Sequence, residues 1–466
     1  MEAGLGLDGQ GKQSAVIPSH SHIHLPAGFE PGWIYELVYT ARDPKVMGLG
    51  HVVVRDLCSQ LKYGSDEGSA HAHAGNASPA NAGSASPVGP IDRAYAWGRS
   101  QTGRALRDFL HGGWNADAQG RQVLDGVFAH VAGAGLMWMN HRFASVVSPA
   151  GQQYEVHDNC ADRFPFSYAM STDHLTGRRD AILKRPDTDP LVIHTQAATE
   201  YWQRRGSLVH TDTQGNDLQQ PDNVRVYLWS SSQHFADPNL RTPSRGVRQF
   251  PNNVVNTSIF FRAMLDALDA WVSEGTPPPA SRVPRRDEGT LLSGDEWRAQ
   301  FPAIPGVALP SAPNGLPLLD FGAQFDQGIL SNEPPKVPDA QGYPTMVPAV
   351  DADRNDVPGV RAPMVQAPLA TYTGWSLRAR GFGHGAMYEF EGSTIAFADT
   401  ESERLMTSDP RLSVEARYGD CDGYTRAIES AARTLVEQGF MLEEDVERCV
   451  QAALDWGAPR HDVLLD

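Results

Sequence analysis

The run VLDGVFAHVAG (123–133) is apolar almost without interruption and far too short to cross a membrane. As a strand it needs cover on both faces, the situation of a parallel sheet whose connections are helices. The flanking sequence fits that demand. DRAYAWG (92–98) reads as a short strand and SQTGRALRDFLHGG (100–113) as a helix directly behind it. DPLVIHT (189–195) and NVRVYLWSSS (223–232) are two more strands, separated by a helical segment around TEYWQRRGSL (199–208) and followed by an amphipathic helix over 255–273. The alternation predicts an α/β fold with a mostly parallel sheet and helices on both faces.

Around this core the composition changes several times. Residues 1–30, rich in Gly, Ser, His and Pro, read as poorly ordered. WIYELVYT (33–40) is the first strand expected, and VMGLGHVVVRDLCSQLKYG (46–64) a helix closed by Gly64. Residues 64–90 are low-complexity and nearly free of large apolar side chains, as in a flexible surface insertion. Residues 134–188 are aromatic-rich, with Trp138, Phe143, Phe164, Phe166 and Tyr168, and read either as a lid over a pocket or as a plain core layer. The division expected is a catalytic core over 31–275, a Pro-rich wrapping segment over 276–370 and a helical C-terminal region over 371–466.

With 466 residues and 41% hydrophobic content the chain can build a large core. A net charge of −17 argues against nucleic acid as a partner, since phosphate binding needs a basic face. No apolar stretch approaches the length of a membrane span. The start, MEAGLGLDGQGKQSAV, lacks the basic and apolar regions of a secretory signal, so the chain as it stands is expected in the cytoplasm, and exported if its true N-terminus is missing. Cys58, Cys160, Cys421 and Cys449 form no metal or redox motif and read as mostly buried thiols.

The chemistry concentrates at Gly98-Arg99-Ser100-Gln101-Thr102-Gly103, between a strand and a helix. A nucleophile elbow needs a tight, strained turn that lifts the Ser hydroxyl above the sheet, with small neighbours that let strand and helix approach. Gly98 meets the requirement before Ser100. Thr102 stands where Gly is usual, and Gly103 follows one step later. In this reading Gln101 N–H, at the helix N-terminus, is an oxyanion donor; the bland alternative makes Ser100 an ordinary helix N-cap.

A hydroxyl becomes a nucleophile only when a base takes its proton, and the base must be held by a carboxylate. In the α/β-hydrolase fold these follow in the order Ser, acid, His, on loops after late strands. The strand through 223–232 runs into Gln233-His234-Phe235, which makes His234 the candidate base. The LVIHT strand runs into QAATEYW, which makes Glu200 the candidate acid. His234 could instead simply pack, and Glu200 could be a first-turn carboxylate favoured by the helix dipole. Asp173 and Asp180 are rival acids, and His384 in RGFGHG (380–385) is a rival base.

These segments also carry a resemblance. YELVYTARDPKVMGLGHVVVRD, WGRSQTGRALRDFL, LVIHTQAATEYWQRRGSLVHTD, VRVYLWSSSQHF, ATYTGWSLR and DPRLSVEARYG resemble a family of bacterial α/β-hydrolase-domain proteins of undetermined substrate. The resemblance covers most of residues 30–450 and implies Ser100, Glu200 and His234 as a triad. The elbow is also similar to that of glucuronoyl esterases, which hints at a carboxylic ester of a polar or plant-derived compound. Relatives of this kind usually have a longer N-terminal region, often with an export signal. The second oxyanion amide is therefore unassigned, with the turn at Ala41–Pro44 a candidate.

Other constellations are weaker. His20, His22 and His24 in SHSHIH have a metal-ligand spacing without a completing carboxylate or cysteine, and HAHAG (71–75) lies in the low-complexity insertion. Asp351-Ala-Asp353-Arg-Asn355 opens like a calcium loop, but Asp356 replaces the needed Gly. The reading that results is a serine hydrolase acting on a small-molecule carboxylic ester through an acyl-enzyme, with no cofactor. Its rivals are a non-catalytic binding protein on the same fold and a metal-dependent hydrolase using the N-terminal histidines. Oligomeric state leaves no trace in the sequence.

Overall fold

The computed structural model describes residues 5–7, 13–15, 22–25, 27–30, 35, 39–40, 42–45, 48–64, 91–137, 141–143, 161–235, 243–332, 335–338 and 342–454. Residues 65–90 of the insertion expected over 64–90, most of the expected strand at 33–40, His20, Trp138 and Cys160 lie outside them. Residues 1–45 and 46–466 form two separate compact units. In the first, Leu5–Leu7 and Gln13–Ala15 pair as an antiparallel hairpin.

The second unit is organised on a four-stranded parallel sheet. Its strands are β1 (Tyr95–Arg99), β2 (Gly126–His130), β3 (Leu191–Ala197) and β4 (Val224–Trp229), in that spatial order. Successive side chains on a strand point to opposite faces, and in β2 and the first half of β3 both faces are apolar. Val127, Val192, Val224 and Val226 face one layer; Phe128, Ile193, Tyr227 and Trp229 face the other.

The first layer is supplied by the connections between strands. Helix α2 (Gln101–His111), preceded in the chain by α1 (Gly50–Tyr63), contributes Phe109 and Leu110, and the turn at Gly206–Val209 contributes Leu208 and Val209. Parallel strands in sequential order with right-handed crossovers bring their connections to one face. After β4 the chain crosses to the opposite face, where α4 (Ser258–Glu274) packs Ile259, Phe260, Met264 and Leu268 on Phe128, Ile193 and Trp229. Fully burying one such side chain contributes about 1.5–3 kcal/mol.

The helix expected over 199–208 is interrupted. Helix α3 (Ala198–Gln203) stops, Arg205 takes a left-handed backbone with φ 54°, and a 3-10 turn follows at Gly206–Val209. The break turns the Arg205 guanidinium onto Asp162 (3.1 Å) and the Gly315 carbonyl, and lets Gln196 Nε2 reach the Gly206 carbonyl. In the aromatic-rich region, Phe164, Phe166 and Tyr168 are buried with Phe109 and Val192 as part of the core layer, whereas Phe143 is exposed.

The Pro-rich segment covers the edge of β4. Arg282 and Val360 bridge Tyr227 and Trp229 in parallel, with Leu228 N–H donating to the Arg282 carbonyl and Val360 N–H to the Leu228 carbonyl. At the C-terminal end, α5 (Cys421–Glu437) and α6 (Glu444–Leu454) add Leu435 and Val446 to the α4 layer. Cys58, Cys421 and Cys449 are free thiols, half-buried rather than buried, with Cys58 and Cys449 at helix positions on the margins of core clusters.

Candidate active site

Ser100 lies between β1, which ends at Arg99, and α2, which begins at Gln101, with φ 55° and ψ −118°. A non-glycine residue there is strained. The strain is held by local bonds. Ser100 N–H donates to the His130 carbonyl at 2.8 Å, extending the β1–β2 pairing by one residue. The Thr102 hydroxyl accepts from Arg99 N–H and donates to the Arg99 carbonyl, both at 2.8 Å, which stitches the turn across its mouth. That pair of hydrogen bonds explains a Thr where Gly is usual. A Cβ on Gly98 would lie 2.6 Å from the Thr102 carbonyl oxygen, and one on Gly103 would lie 3.0 Å from the Gly98 oxygen. Strand and helix approach this closely only because both positions lack side chains.

Gln101 is the first residue of α2. Its N–H is one of the amides a helix N-terminus leaves unbonded, at the positive end of the helix dipole.

Glu200 and His234 come from the ends of the adjacent strands β3 and β4. Glu200 Oε1 lies 2.5 Å from His234 Nδ1, and Glu200 Oε2 accepts from Ala197 N–H at 2.9 Å. The carboxylate therefore caps the first turn of α3 and holds the imidazole at once. Both side chains are buried, Glu200 at 0% and His234 at 1% exposure. With Nδ1 donating to the carboxylate, Nε2 keeps the lone pair.

The loop carrying His234 is braced from distant parts of the chain. Ser231, with φ 54°, donates its N–H to Asp356 Oδ2 at 2.5 Å, and its hydroxyl accepts from Asp356 N–H. Asn253 Nδ2 donates to the Ser231 carbonyl, and Gly392 N–H donates to Gln233 Oε1. Burial pushes the Asp356 carboxyl up to about 7. The Phe390 ring stacks on the His234 imidazole with centroids 4.7 Å apart, and Phe390 N–H donates to Gln203 Oε1 on α3.

Arg99 links the elbow to this loop: one guanidinium nitrogen donates to the His234 carbonyl at 2.7 Å. His130, next to the elbow, is buried, and burial followed by the charge of His234 and Arg99 pushes its imidazole well below the usual range. The Ser100 hydroxyl itself makes no hydrogen bond to His234 in this conformation.

The rival residues are engaged elsewhere. Asp173 accepts from the Thr176 and Tyr343 hydroxyls, and Asp180 pairs with His111 and Lys184. His384 is exposed on its Gly-rich turn. His22 and His24 are exposed in the N-terminal unit, and Ala41 of the Ala41–Pro44 turn lies outside the described residues. Asp351 and Asp353 pair with Arg361 and Arg417. Among the described residues no three His, Cys, Asp or Glu side chains are grouped to hold a metal, and no helix is long and apolar enough to cross a membrane. Sequence reasoning missed Thr102, Arg99, Phe390 and Asp356. Only Thr102 and Arg99 had a signal, their place inside the elbow.

No curated protein and no solved structure matches the chain. A family model described as an alpha/beta hydrolase domain does match, over residues 69–451, a span that takes in the sheet, the elbow and the Glu200–His234 pair; the chain belongs to that family of hydrolases.

Proposed function

We propose that this protein is a serine hydrolase that cleaves a carboxylic ester through an acyl-enzyme, with Ser100 as nucleophile, His234 as base and Glu200 as the acid that orients it. The observation that carries the reading is the sealed Glu200–His234 pair at 2.5 Å, anchored through Arg99 to a strained elbow serine. A structural ion pair has no need of a neighbouring serine in a strained conformation.

In the first step His234 Nε2 takes the Ser100 proton as Oγ attacks the ester carbonyl carbon. The oxyanion is met by Gln101 N–H. Glu200 stabilises the imidazolium and stays ionised itself. The tetrahedral intermediate collapses, the C–O bond breaks, and His234 returns its proton to the leaving alcohol. Water then repeats the sequence on the acyl-enzyme, releasing the carboxylic acid and restoring Ser100. The open Ser100–His234 contact is compatible with this, since hydrogen bonds of a nucleophile to its base commonly tighten only when substrate is bound.

The test is labelling of the purified protein with a fluorophosphonate, followed by peptide mapping. Modification confined to Ser100 and absent in Ser100→Ala is the expected result. A folded sample that stays unlabelled would favour a non-catalytic binding protein on the same fold.

A further inference from the structure

Arg104, Arg204 and Arg205 lie in the region of Glu200 and Asp162, and of the three only Arg205 forms an ion pair with a described residue. Arg205 pairs with Asp162 at 3.1 Å and donates to the Gly315 carbonyl. Arg104 and Arg204 form no ion pair and no side-chain hydrogen bond with any described residue, although Arg104 is only 7% exposed. Asp162 Oδ2 accepts from Arg205, and the two oxygens of Glu200 are engaged by His234 and Ala197 N–H. A guanidinium carries five donors in a planar fork and stays charged. Holding one this buried without a partner is costly.

Their position is next to the candidate nucleophile. Arg104 lies one helical turn beyond Ser100, its N–H donating to the Ser100 carbonyl at 2.9 Å, and helix side chains lean back toward the N-terminus. The Arg204 guanidinium lies 4.6 Å over the Phe390 ring, which itself stacks on His234. The charges of Arg104 and Arg204 act on each other and both feel Glu200. Burial and Arg104 lower the Arg204 guanidinium to about 9, which leaves it cationic at neutral pH. Among the described residues, no nitrogen of either side chain is both sealed from solvent and without a hydrogen bond.

We infer that Arg104 and Arg204 form an anion-binding subsite beside Ser100, and that the ester substrate carries a second, ionised carboxylate which they clamp. This rests on the proposed ester hydrolysis for the word substrate, but the subsite itself does not. Carboxylate geometry matches the guanidinium fork, and the interaction gains strength where water is scarce. Two arginines that only balanced Glu200 and Asp162 would be paired with them.

The test compares glutarate with its uncharged diamide on the full chain, by thermal shift and by competition against 4-nitrophenyl acetate hydrolysis. Glutarate is expected to stabilise the protein and to inhibit competitively, at least tenfold better than the diamide. The stabilisation should persist in Ser100→Ala, weaken with salt, and fall at least tenfold in affinity in Arg104→Met and in the less buried Arg204→Gln. Equal behaviour of glutarate and the diamide, or full glutarate affinity in a folded Arg204→Gln, overturns the subsite. Failure of Ser100 to react with a fluorophosphonate overturns instead the hydrolase reading, and glutarate binding then still reports on the arginines.

Discussion

His234 Nδ1 and Glu200 Oε1 are 2.5 Å apart with neither side chain open to solvent, and the second carboxylate oxygen is bound to the Ala197 amide. The carboxylate is therefore held at the first turn of its own helix, and the imidazole inherits that rigidity. Replacing Glu200 by Gln keeps an oxygen for Ala197 N–H but offers His234 a neutral partner and allows the wrong tautomer. Ester turnover should fall by about 10³–10⁴-fold with the fold retained. Steady-state kinetics beside a circular dichroism melt would check it; a loss below tenfold would remove Glu200 from the mechanism.

Arg99 tests positioning. Its bond to the His234 carbonyl joins the elbow to the loop that carries the proposed base. Arg99→Ala should lower kcat about tenfold or more, the effect of losing roughly 1.5–3 kcal/mol of charge-assisted bonding. Arg99→Lys should restore part of it. A purely structural role would show in the melting temperature with kcat unmoved.

The elbow depends on missing side chains. Gly98→Ala places a Cβ at 2.6 Å from the Thr102 carbonyl oxygen, against rigid backbone. Destabilisation of about 1–3 kcal/mol is expected, with slower fluorophosphonate labelling of Ser100. Thr102→Val, which removes two hydrogen bonds at little change in shape, should cost about 1–3 kcal/mol. Urea unfolding of both variants, read together with labelling rates, separates the two effects.

Asp356 gives a pH dependence. Its carboxyl is raised from 3.8 to about 7 by burial. Between those values the folded protein keeps a proton that the unfolded chain releases, so stability falls as pH rises through this window. The slope is about 1.4 kcal/mol per pH unit at most, and the contribution is complete below the lower value and lost above the higher one. Asp356→Asn keeps an acceptor for Ser231 N–H and removes the titration. The urea midpoint of the wild type should drop relative to that variant between pH 5 and pH 8. Parallel curves would refute the assignment.

The sequence by itself determined the layers. The unbroken apolar character of 123–133, with valines and aromatics on alternate positions of neighbouring strands, leaves a doubly covered parallel sheet as the arrangement that buries both faces. It also marked Gly98, Ser100 and Gly103, because an elbow imposes its residue types within six positions of chain. Glu200 and His234 followed from their places at strand ends. What only the tertiary structure decided is which groups act on them. Phe390, Asp356 and Asn253 reach the His234 loop from segments up to 156 residues away, and no local pattern encodes a contact made by the folding of distant chain. The break at Arg205 was equally hidden. A helical pattern over 199–208 is locally sound, but pairing Arg205 with Asp162 across 43 residues outweighs one more turn of helix.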